Sequence, residues 1–406
     1  MILAIFRRLL SVCFRRIGCG SALILCLQAS ASRADPGADI PATIPSDARN
    51  IAFVAQKIRN AETVRIGFLG GSITQGAGAK KHVESYYWRT KTRLTNFAKT
   101  SGATVESLLA AVGGTGSDYG AHRVGLQLLD KGIDLLIVEF AVNDFRTPVA
   151  LDGMEGIVRQ ALTRNPHVAV VLFYTTNRRM IEECYDKGVL PPSVVAFHRI
   201  ARHYNLAEVN AGSGVRDLFT SGRSNPETFF PDKTHPTAEG HAFYADILSN
   251  ALIASLESVA TSVPTASDQA LPPPLGSGRF ERACLLPVVP VRKTGEWTQE
   301  TSGYYTCFGA WKATEAGASL TFEVNGERVA LLCGRLSRLR VTGPGIDKTL
   351  RGPGRRNGIP ALHVLHDGQK PVNGLVTVTV EPDAQGNAGA EIAGLALIRA
   401  EDAFSR

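Results

Sequence analysis

Three polar stretches of the sequence combine residue types that can carry out nucleophilic chemistry. Ser72 lies in a glycine-rich turn directly after the apolar run 64–69, Asn143 follows a second apolar run, and Asp232 precedes His235 by three residues. A serine hydroxyl becomes an effective nucleophile when a base lies within hydrogen-bonding reach. An imidazole that a carboxylate holds in one tautomer is such a base. If the three stretches lie close together in the fold, they provide both the nucleophile and its base.

Each stretch also has an ordinary structural explanation. Serine is a favoured N-cap, so Ser72 alone would cap the helix that follows it. Asn143 and Asp144 fit an Asx-type turn at the end of a strand. Pro236, after His235, fits the first position of a helix. Each residue taken alone therefore fits a structural role as well as a catalytic one. The order of the three stretches along the chain is the more specific signal.

That order resembles the SGNH, or GDSL-type, hydrolase family. The family has a serine in a glycine turn after the first strand, a glycine after the second, an asparagine after the third and a late Asp-x-x-His. This chain has Ser72, Gly114, Asn143 and Asp232 with His235, in that order. The resemblance implies a triad of Ser72, Asp232 and His235. It also implies an oxyanion hole from the backbone N–H groups of Ser72 and Gly114 and the Asn143 amide, with no metal or organic cofactor.

The turn before Ser72 departs from the best-known pattern of this family. That pattern reads Gly-Asp-Ser, whereas this chain reads Gly70-Gly71-Ser72. The missing aspartate is not a triad member, so its loss bears on the rigidity of the turn more than on the chemistry. Gly-Gly-Ser-Ile-Thr also occurs in branches that resemble carbohydrate esterases, which favours a sugar ester as substrate. Without the resemblance, Gly114 is equally well explained as a plain turn glycine.

The region around these motifs has the pattern of a parallel α/β sheet. Apolar runs alternate with helical patterns, so we expect a flavodoxin-like, three-layer αβα domain over 61–257, after an N-terminal segment at 35–60. In such sheets ligands bind at the carboxyl ends of the strands, where Ser72 and Asn143 are predicted to lie. Strands are predicted near 64–69, 104–112, 133–141, 168–174 and 206–209, and helices near 84–99, 118–131, 152–164, 191–204 and 237–257.

After residue 257 the sequence changes in character. Residues 258–279 gain serine, proline and glycine, which predicts a linker. Beyond it, Leu375–Val380 alternates with period two, and Asn325-Gly326 between two strand-like segments predicts a hairpin turn. We therefore expect an all-β sandwich over 280–403, similar to the jelly-roll modules that accompany carbohydrate-active enzymes. Because every catalytic candidate precedes the linker, the first domain is expected to act on small esters by itself.

The sequence offers fewer signals for substrate contacts. Tyr174 and Asn177 follow the fourth predicted strand and should lie on the same rim as Ser72. Trp88 lies near the start of the helix after the serine turn, where an aromatic ring serves as a sugar platform or as part of the core. The basic run Arg335–Arg356 is interpreted as a solvated face, or as a contact for an anionic polysaccharide.

The N-terminus has the features of a secretory signal peptide over residues 1–34. Paired arginines precede the apolar stretch 17–27, which is too short to span a bilayer comfortably. Small residues at 29–34 offer cleavage sites, which predicts a periplasmic or secreted protein without stable membrane insertion after cleavage. The alternative is an uncleaved anchor.

The charge balance gives no reason to expect a nucleic-acid partner. The chain of 406 residues carries a net charge of +7, but residues 1–34 hold five arginines and no acidic residue, and without them the charge is +2. Outside the leader the cysteines are Cys184, Cys284, Cys307 and Cys333. Three of them lie in the β-region and allow one disulfide with one thiol left over. No Cys-x-x-Cys or histidine cluster indicates zinc.

We therefore expect an exported serine esterase that removes O-acyl groups, chiefly acetyl, from an acylated polysaccharide or a small ester. An O-acetyltransferase with the same triad, in which a sugar hydroxyl replaces water, is the alternative within the same machinery. A non-catalytic glycan-binding protein is the alternative from another class, and lipid and thioester substrates stay open. The sequence gives no indication of the oligomeric state.

Overall fold

The computed structural model describes residue 40 and residues 43–45, 47–259, 271–300, 308–352 and 361–400. The predicted leader, residues 260–270 of the predicted linker, Cys307 and the end of the basic run lie outside these residues. Within them, no helix combines the length and the apolar character needed to cross a bilayer.

The first domain is built on a parallel sheet of five strands, counted among the described residues, in the order β2-β1-β3-β4-β5. This is the flavodoxin-like order, so the predicted α/β domain is confirmed. Its strands are β1 (Thr63–Gly70), β2 (Thr104–Ala111), β3 (Leu135–Glu139), β4 (Ala169–Tyr174) and β5 (Ala207–Asn210). Its helices are α1 (Ile51–Arg59), α2 (Ser72–Gln75), α3 (Tyr86–Lys99), α4 (Ser117–Gln127), α5 (Ala150–Arg164), α6 (Arg178–Glu183), α7 (Pro192–Tyr204), α8 (Ala211–Thr220), α9 (Pro226–Phe229) and α10 (Ala238–Ser258).

The central strands of this sheet are buried on both faces. Every residue of β3 and of β4 is buried, because helices cover the sheet on both sides, and this explains their continuous apolar sequence. The neighbours of β1 are β2 and β3, which lie on opposite sides of it. The loops after β1 and β3 therefore leave the sheet side by side, at the place where such folds bind ligands.

The second domain is confirmed as all-β. Among the described residues its strands pair antiparallel in one hydrogen-bonded series, β12-β11-β13-β10-β14-β9-β8, with β6 beside β14 and β7 beside β10. They are β6 (Ala283–Leu286), β7 (Arg292–Thr294), β8 (Thr298–Glu300), β9 (Ala310–Ala313), β10 (Ser319–Leu336), β11 (Arg338–Gly343), β12 (Ile346–Arg351), β13 (Ala361–Glu381) and β14 (Ala390–Ile398). Short 3₁₀ helices occur at His82–Glu84, Leu129–Lys131, Tyr185–Lys187 and Arg279–Arg282.

The predicted hairpin turn at Asn325-Gly326 is wrong. Both residues lie inside β10 and pair with β13, and the ladder shifts its register directly after Gly326. A Cβ atom at Gly326 would lie 2.8 Å from the carbonyl oxygen of Ile398, at the end of β14. The glycine therefore permits a close backbone approach at a bulge, which sequence alone does not distinguish from a turn.

The middle of β10 is buried on both of its faces. Leu331 and Cys333 point into the core of the β-domain. Ala330 and Leu332, which alternate with them, pack in a cluster that includes Tyr119 of α4. Because successive side chains of a strand point to opposite sides, one strand serves both the core and the interdomain contact. The second domain thus packs directly on the first.

The described end of the predicted linker is held against α5 by hydrogen bonds. The backbone N–H groups of Leu275 and Gly276 donate to the buried Glu155 carboxylate, at 2.6 and 2.8 Å. Arg159 donates to the carbonyl oxygen of Pro272 at 2.7 Å. These bonds attach the segment to the first domain, and the two domains form one compact unit.

The described cysteines are not in disulfides. Cys184, Cys284 and Cys333 are free thiols, so the bridge between Cys284 and Cys333 that the sequence allowed is not formed. Burial raises the pKa of the Cys333 thiol to about 12. A thiol in such apolar surroundings is chemically inert, which gives Cys333 a packing role.

Candidate active site

Ser72 is the first residue of α2, directly past the carboxyl end of β1. The two residues before it are glycines, and side chains pack closely against both of them. A Cβ atom at Gly70 would lie 2.0 Å from Thr74 Oγ1, and one at Gly71 would lie 2.1 Å from Asn143 Oδ1. These separations are far below contact distance, so the bare backbone is what lets Thr74 and Asn143 pack against the serine turn.

The structure brings Ser72, His235 and Asp232 into one hydrogen-bonded series. The distance between His235 Nε2 and Ser72 Oγ is 2.8 Å, and that between His235 Nδ1 and Asp232 Oδ2 is 2.6 Å. This is the arrangement in which an imidazole accepts the proton of a serine hydroxyl while a carboxylate holds its other nitrogen.

A tight turn lets Asp232 reach an imidazole only three residues further on. Lys233 has a φ of 68°, in the left-handed region, and its N–H donates to the carbonyl oxygen of Phe230 at 2.8 Å. The second carboxylate oxygen of Asp232 accepts the backbone N–H groups of Thr234 and His235, at 2.9 and 2.7 Å. The carboxylate is thereby fixed by the backbone before it meets the ring.

These hydrogen bonds also set the charge of Asp232. Partial burial by itself would raise the pKa of this carboxyl, but the hydrogen bonds from the backbone and ring of His235 and from Thr234 outweigh it. The pKa of Asp232 lies below its ordinary value as a result. The group is therefore ionised at neutral pH, as a carboxylate must be to hold His235 Nδ1–H and to stabilise an imidazolium.

The predicted oxyanion-hole residues lie at the same edge of the sheet. Gly114, with a φ of 68°, is exposed in the loop after β2. The N–H of its neighbour Gly113 donates to Gln75 Oε1 at 3.1 Å, which ties this loop to the helix that begins with Ser72. Asn143 lies in the loop after β3 with its side chain against Gly71. Donors placed in this way can stabilise a developing oxyanion.

Of the three predicted substrate contacts, Tyr174 is wrong. Its side chain is 1% exposed, and its hydroxyl donates to Glu208 at 2.9 Å, so this last residue of β4 points into the core. Asn177 is partly exposed and caps α6 by accepting the N–H of Met180 at 2.9 Å. Its place on the rim stays compatible with substrate contact.

Trp88 is half-buried on α3 and packs against hydrophobic residues of the core. The ammonium group of Lys91 lies 4.2 Å from the centre of its ring, and the ring of His82 packs against it edge-on. One face of the indole is thus already covered by a cation. The role of Trp88 in substrate binding stays a prediction.

Sequence reasoning missed two buried charged side chains beneath the serine turn. Glu139, 1% exposed, accepts hydrogen bonds from Thr74 Oγ1 at 2.8 Å and from Thr175 Oγ1 at 2.7 Å. Arg123, fully buried, donates to the carbonyl oxygens of Ala110 and Gly70, at 2.7 and 2.9 Å. A glutamate inside the apolar run of β3 was the available signal, since ionisable residues are almost never fully buried unless paired.

Burial affects the two groups in opposite ways. It raises the pKa of Glu139, against the effect of the hydrogen bonds from Thr175, Thr74 and the backbone of Gly71. It lowers the pKa of Arg123 to about 10, which still leaves the guanidinium charged at neutral pH. Among the described residues, no group of three or more histidine, cysteine, aspartate or glutamate side chains is arranged to hold a metal ion.

Residues 68–243 match the model of the GDSL-like Lipase/Acylhydrolase family, a span that includes Ser72, Gly114, Asn143, Asp232 and His235. Among curated proteins no match is found.

Two of the solved structures that are similar to this chain are esterases. A two-domain esterase (CEX) active on acetylated mannans, co-crystallised with mannopentaose, is 23% identical, with a TM-score of 0.73 over 89% of this chain and 98% of that one. The acetylxylan esterase Axe2 from Geobacillus stearothermophilus is 17% identical, with a TM-score of 0.37 over 49% of this chain and 97% of that one.

The family match covers the part of the first domain that carries the candidate triad, and the likeness in fold to the two-domain esterase extends over both domains. Residues 68–243 therefore match a GDSL-like lipase/acylhydrolase, or SGNH, domain, which a C-terminal β-domain follows.

Proposed function

We propose that the protein is an exported esterase that removes O-acetyl groups from a glycan through an acyl-Ser72 intermediate. The observation that carries the proposal is the hydrogen-bonded series Ser72–His235–Asp232 at the edge of the sheet. The Gly-Gly-Ser-Ile-Thr turn supports a sugar ester as substrate. So does the fold shared over both domains with an esterase described as active on acetylated mannans.

The geometry supports a two-step reaction. Ser72 Oγ attacks the ester carbonyl while His235 Nε2 takes its proton, and the carbonyl oxygen becomes negatively charged. The N–H groups of Ser72 and Gly114 and the Asn143 amide stabilise that charge. His235 then donates the proton to the departing sugar oxygen, which leaves Ser72 acylated. In the second step, a water molecule that gives its proton to His235 attacks the acyl group. The bond to Ser72 Oγ breaks, His235 returns the proton to Ser72, and acetate is released.

The exposure of the triad favours water as the acceptor. The side chains of Asp232 and His235 are 57% and 26% exposed. An acyltransferase must keep water from its acyl-enzyme, because water attacks the same carbonyl. A triad open to solvent in this way supports hydrolysis over transfer to a second sugar.

Export is proposed from the sequence of residues 1–34. The mature chain would begin at Ser32 or Asp35, after one of the small residues that fit a cleavage site. N-terminal sequencing of protein from a periplasmic or culture fraction would measure this. Recovery of the full-length chain in a membrane fraction would favour the uncleaved anchor.

The test of the function is acetate release from acetylated mannan, xylan, pectin, alginate and peptidoglycan, by the wild type and by Ser72→Ala. We expect release from at least one polymer, and loss of that release and of p-nitrophenyl acetate hydrolysis in Ser72→Ala. Runs with added sugar acceptors separate hydrolysis from transfer. Hydrolysis that survives Ser72→Ala would contradict the proposed nucleophile, and glycan binding without release would favour the non-catalytic alternative.

A further inference from the structure

Two buried ionisable side chains hold the serine turn on either side of Ser72. The carbonyl oxygen of Gly70, before the serine, accepts a hydrogen bond from Arg123 Nη2 at 2.9 Å. The hydroxyl of Thr74, after the serine, donates to Glu139 at 2.8 Å. The orientation of the serine turn thus depends on two side chains from other elements.

Glu139 connects the helix that carries Ser72 to the neighbouring part of the sheet. The N-cap of α2 is Gly71, so the helix has no capping side chain of its own. The Glu139 carboxyl group accepts Thr74 Oγ1 at 2.8 Å and Thr175 Oγ1, directly past the end of β4, at 2.7 Å. A residue of β3 therefore holds the first turn of α2 in place.

Arg123 holds the other side of the turn. It donates to Gly70 at the end of β1 and to Ala110 at the end of β2, and its third described partner is Gln127 Oε1 at 2.9 Å. These are neutral oxygens, although burying a guanidinium is costly unless it is well hydrogen-bonded. The position of this cation is therefore explained by the two strand ends that it joins.

Gly71 occupies the place where the best-known family turn has an aspartate. An aspartate here would have to displace the Asn143 side chain, because its Cβ atom would lie 2.1 Å from Asn143 Oδ1. Asn143 is a proposed oxyanion donor. With no side chain of its own at this position, the turn relies on contacts from other elements, which Glu139 and Arg123 provide.

We propose that Glu139 and Arg123 are positioning residues that hold Thr74 and Gly70, and with them Ser72, in the orientation needed for attack. The inference rests on the proposed role of Ser72. Neither side chain touches the ester. They act by keeping the hydroxyl in line with His235, and the Ser72 N–H directed at the developing oxyanion.

The decisive variant is Glu139→Gln. An amide of the same size has one acceptor oxygen in place of two, so it cannot satisfy all the donors around Glu139. We expect kcat on p-nitrophenyl acetate to fall by about 10- to 100-fold with KM changed less than about twofold, because misplacing a nucleophile acts on the chemical step. The rate at which a fluorophosphonate labels Ser72 should fall in parallel.

Glu155→Gln is the matched control. Glu155 is another 1% exposed carboxylate that accepts two backbone N–H groups, but those belong to Leu275 and Gly276. It should lower the thermal midpoint while leaving kcat unchanged. A kcat per folded molecule that stays within twofold of wild type in Glu139→Gln would overturn the inference.

A second pair keeps the test decisive if Glu139→Gln does not fold. Thr74→Val removes the hydroxyl that donates to Glu139, whereas Thr74→Ser keeps it. We expect kcat to fall by about 3- to 10-fold in Thr74→Val, the loss of one buried hydrogen bond, and Thr74→Ser to recover most of it. Equal kcat values in the two variants would contradict the inference.

The proposed function can fail separately. If Ser72→Ala retains hydrolysis, Ser72 is not the nucleophile and both proposals fail. If Ser72→Ala is inactive while Glu139→Gln and Thr74→Val keep full kcat, the proposed function stands and only the positioning role is lost.

Discussion

The two domains use strand length in different ways. The parallel strands of the first domain are 4 to 8 residues long, and each ends at the same edge, where a loop can place a functional group. In the second domain, β10 and β13 are 18 and 21 residues long and run through the sheet. Short strands bring loops from distant parts of the sequence to one edge. In the second domain, residues of the long strand β10 join residues of β6 and β14 in the apolar cluster that includes Tyr119 of α4.

This division does not make the domains independent. Arg328 of β10 is 8% exposed, lies 2.8 Å from an oxygen of Asp367 and reaches to 3.6 Å from an oxygen of Asp118. Asp118 lies in the first turn of α4, next to Ser117, whose N–H donates to Asp144 at 3.1 Å. The second domain therefore contacts the start of the helix that follows the Gly114 loop.

The largest effect is expected from a variant that removes the proposed catalytic base of the first domain and leaves its fold intact. His235→Ala should reduce kcat on p-nitrophenyl acetate by roughly 10⁴-fold or more, about as much as Ser72→Ala, because the two groups act in one proton transfer. The double variant should lose little beyond either single one. Losses that multiply would show that Ser72 and His235 do not share a step.

The features of the two domains that depend on local sequence patterns could be predicted from the sequence. The strands of the first domain and the order of its motifs could be predicted because apolar run length and residue spacing are properties of neighbouring positions. Tyr174 was misplaced because its burial depends on Glu208 of the next strand. Asn325-Gly326 was misread because the close approach of Ile398 comes from a distant strand. The contacts of Glu139 and Arg123 with the serine turn likewise arise only when separate elements pack.

The next effect tests whether the two domains unfold as one. Leu331 and Leu332 are adjacent in β10, but the first faces the β-domain core and the second faces α4. Each change to alanine should cost about 3 kcal/mol, from lost burial and a residual cavity. Both should lower the midpoint of a single calorimetric transition. Two separated transitions, with only one shifted in each variant, would show independent domains.

A third prediction concerns the pH dependence of stability that a buried carboxyl group of the first domain causes. Burial raises the pKa of Asp144 to about 7, against the hydrogen bonds from Ser117. Because the folded pKa exceeds the unfolded one of about 3.9, the stabilisation is complete below about pH 4 and is lost as pH rises through about 7. The free energy of unfolding should therefore lose about 2–3 kcal/mol between about pH 5 and 8 from this group.

Asp144→Asn is the variant that isolates this group. It keeps an oxygen that can accept the Ser117 N–H but removes the charge, so its denaturant-derived stability should vary less with pH than that of the wild type. Parallel curves for the two proteins would show that Asp144 does not titrate in this range.

The smallest effect is expected on the outer surface of the β-domain. Arg340 and Asp347 form an ion pair across β11 and β12, with side chains 42% and 67% exposed. Such pairs contribute about 0–1 kcal/mol, so Arg340→Ala should change stability by less than about 1 kcal/mol and leave kcat on p-nitrophenyl acetate unchanged.

Acetate release from pectin, an anionic polymer, distinguishes a solvated face from a glycan contact. If the basic run binds the polymer, Arg340→Ala should slow that release at low salt, and the difference should shrink near 0.15 M salt, where charges are screened over about 8 Å. Equal rates at both salt concentrations would leave the basic run as a solvated face.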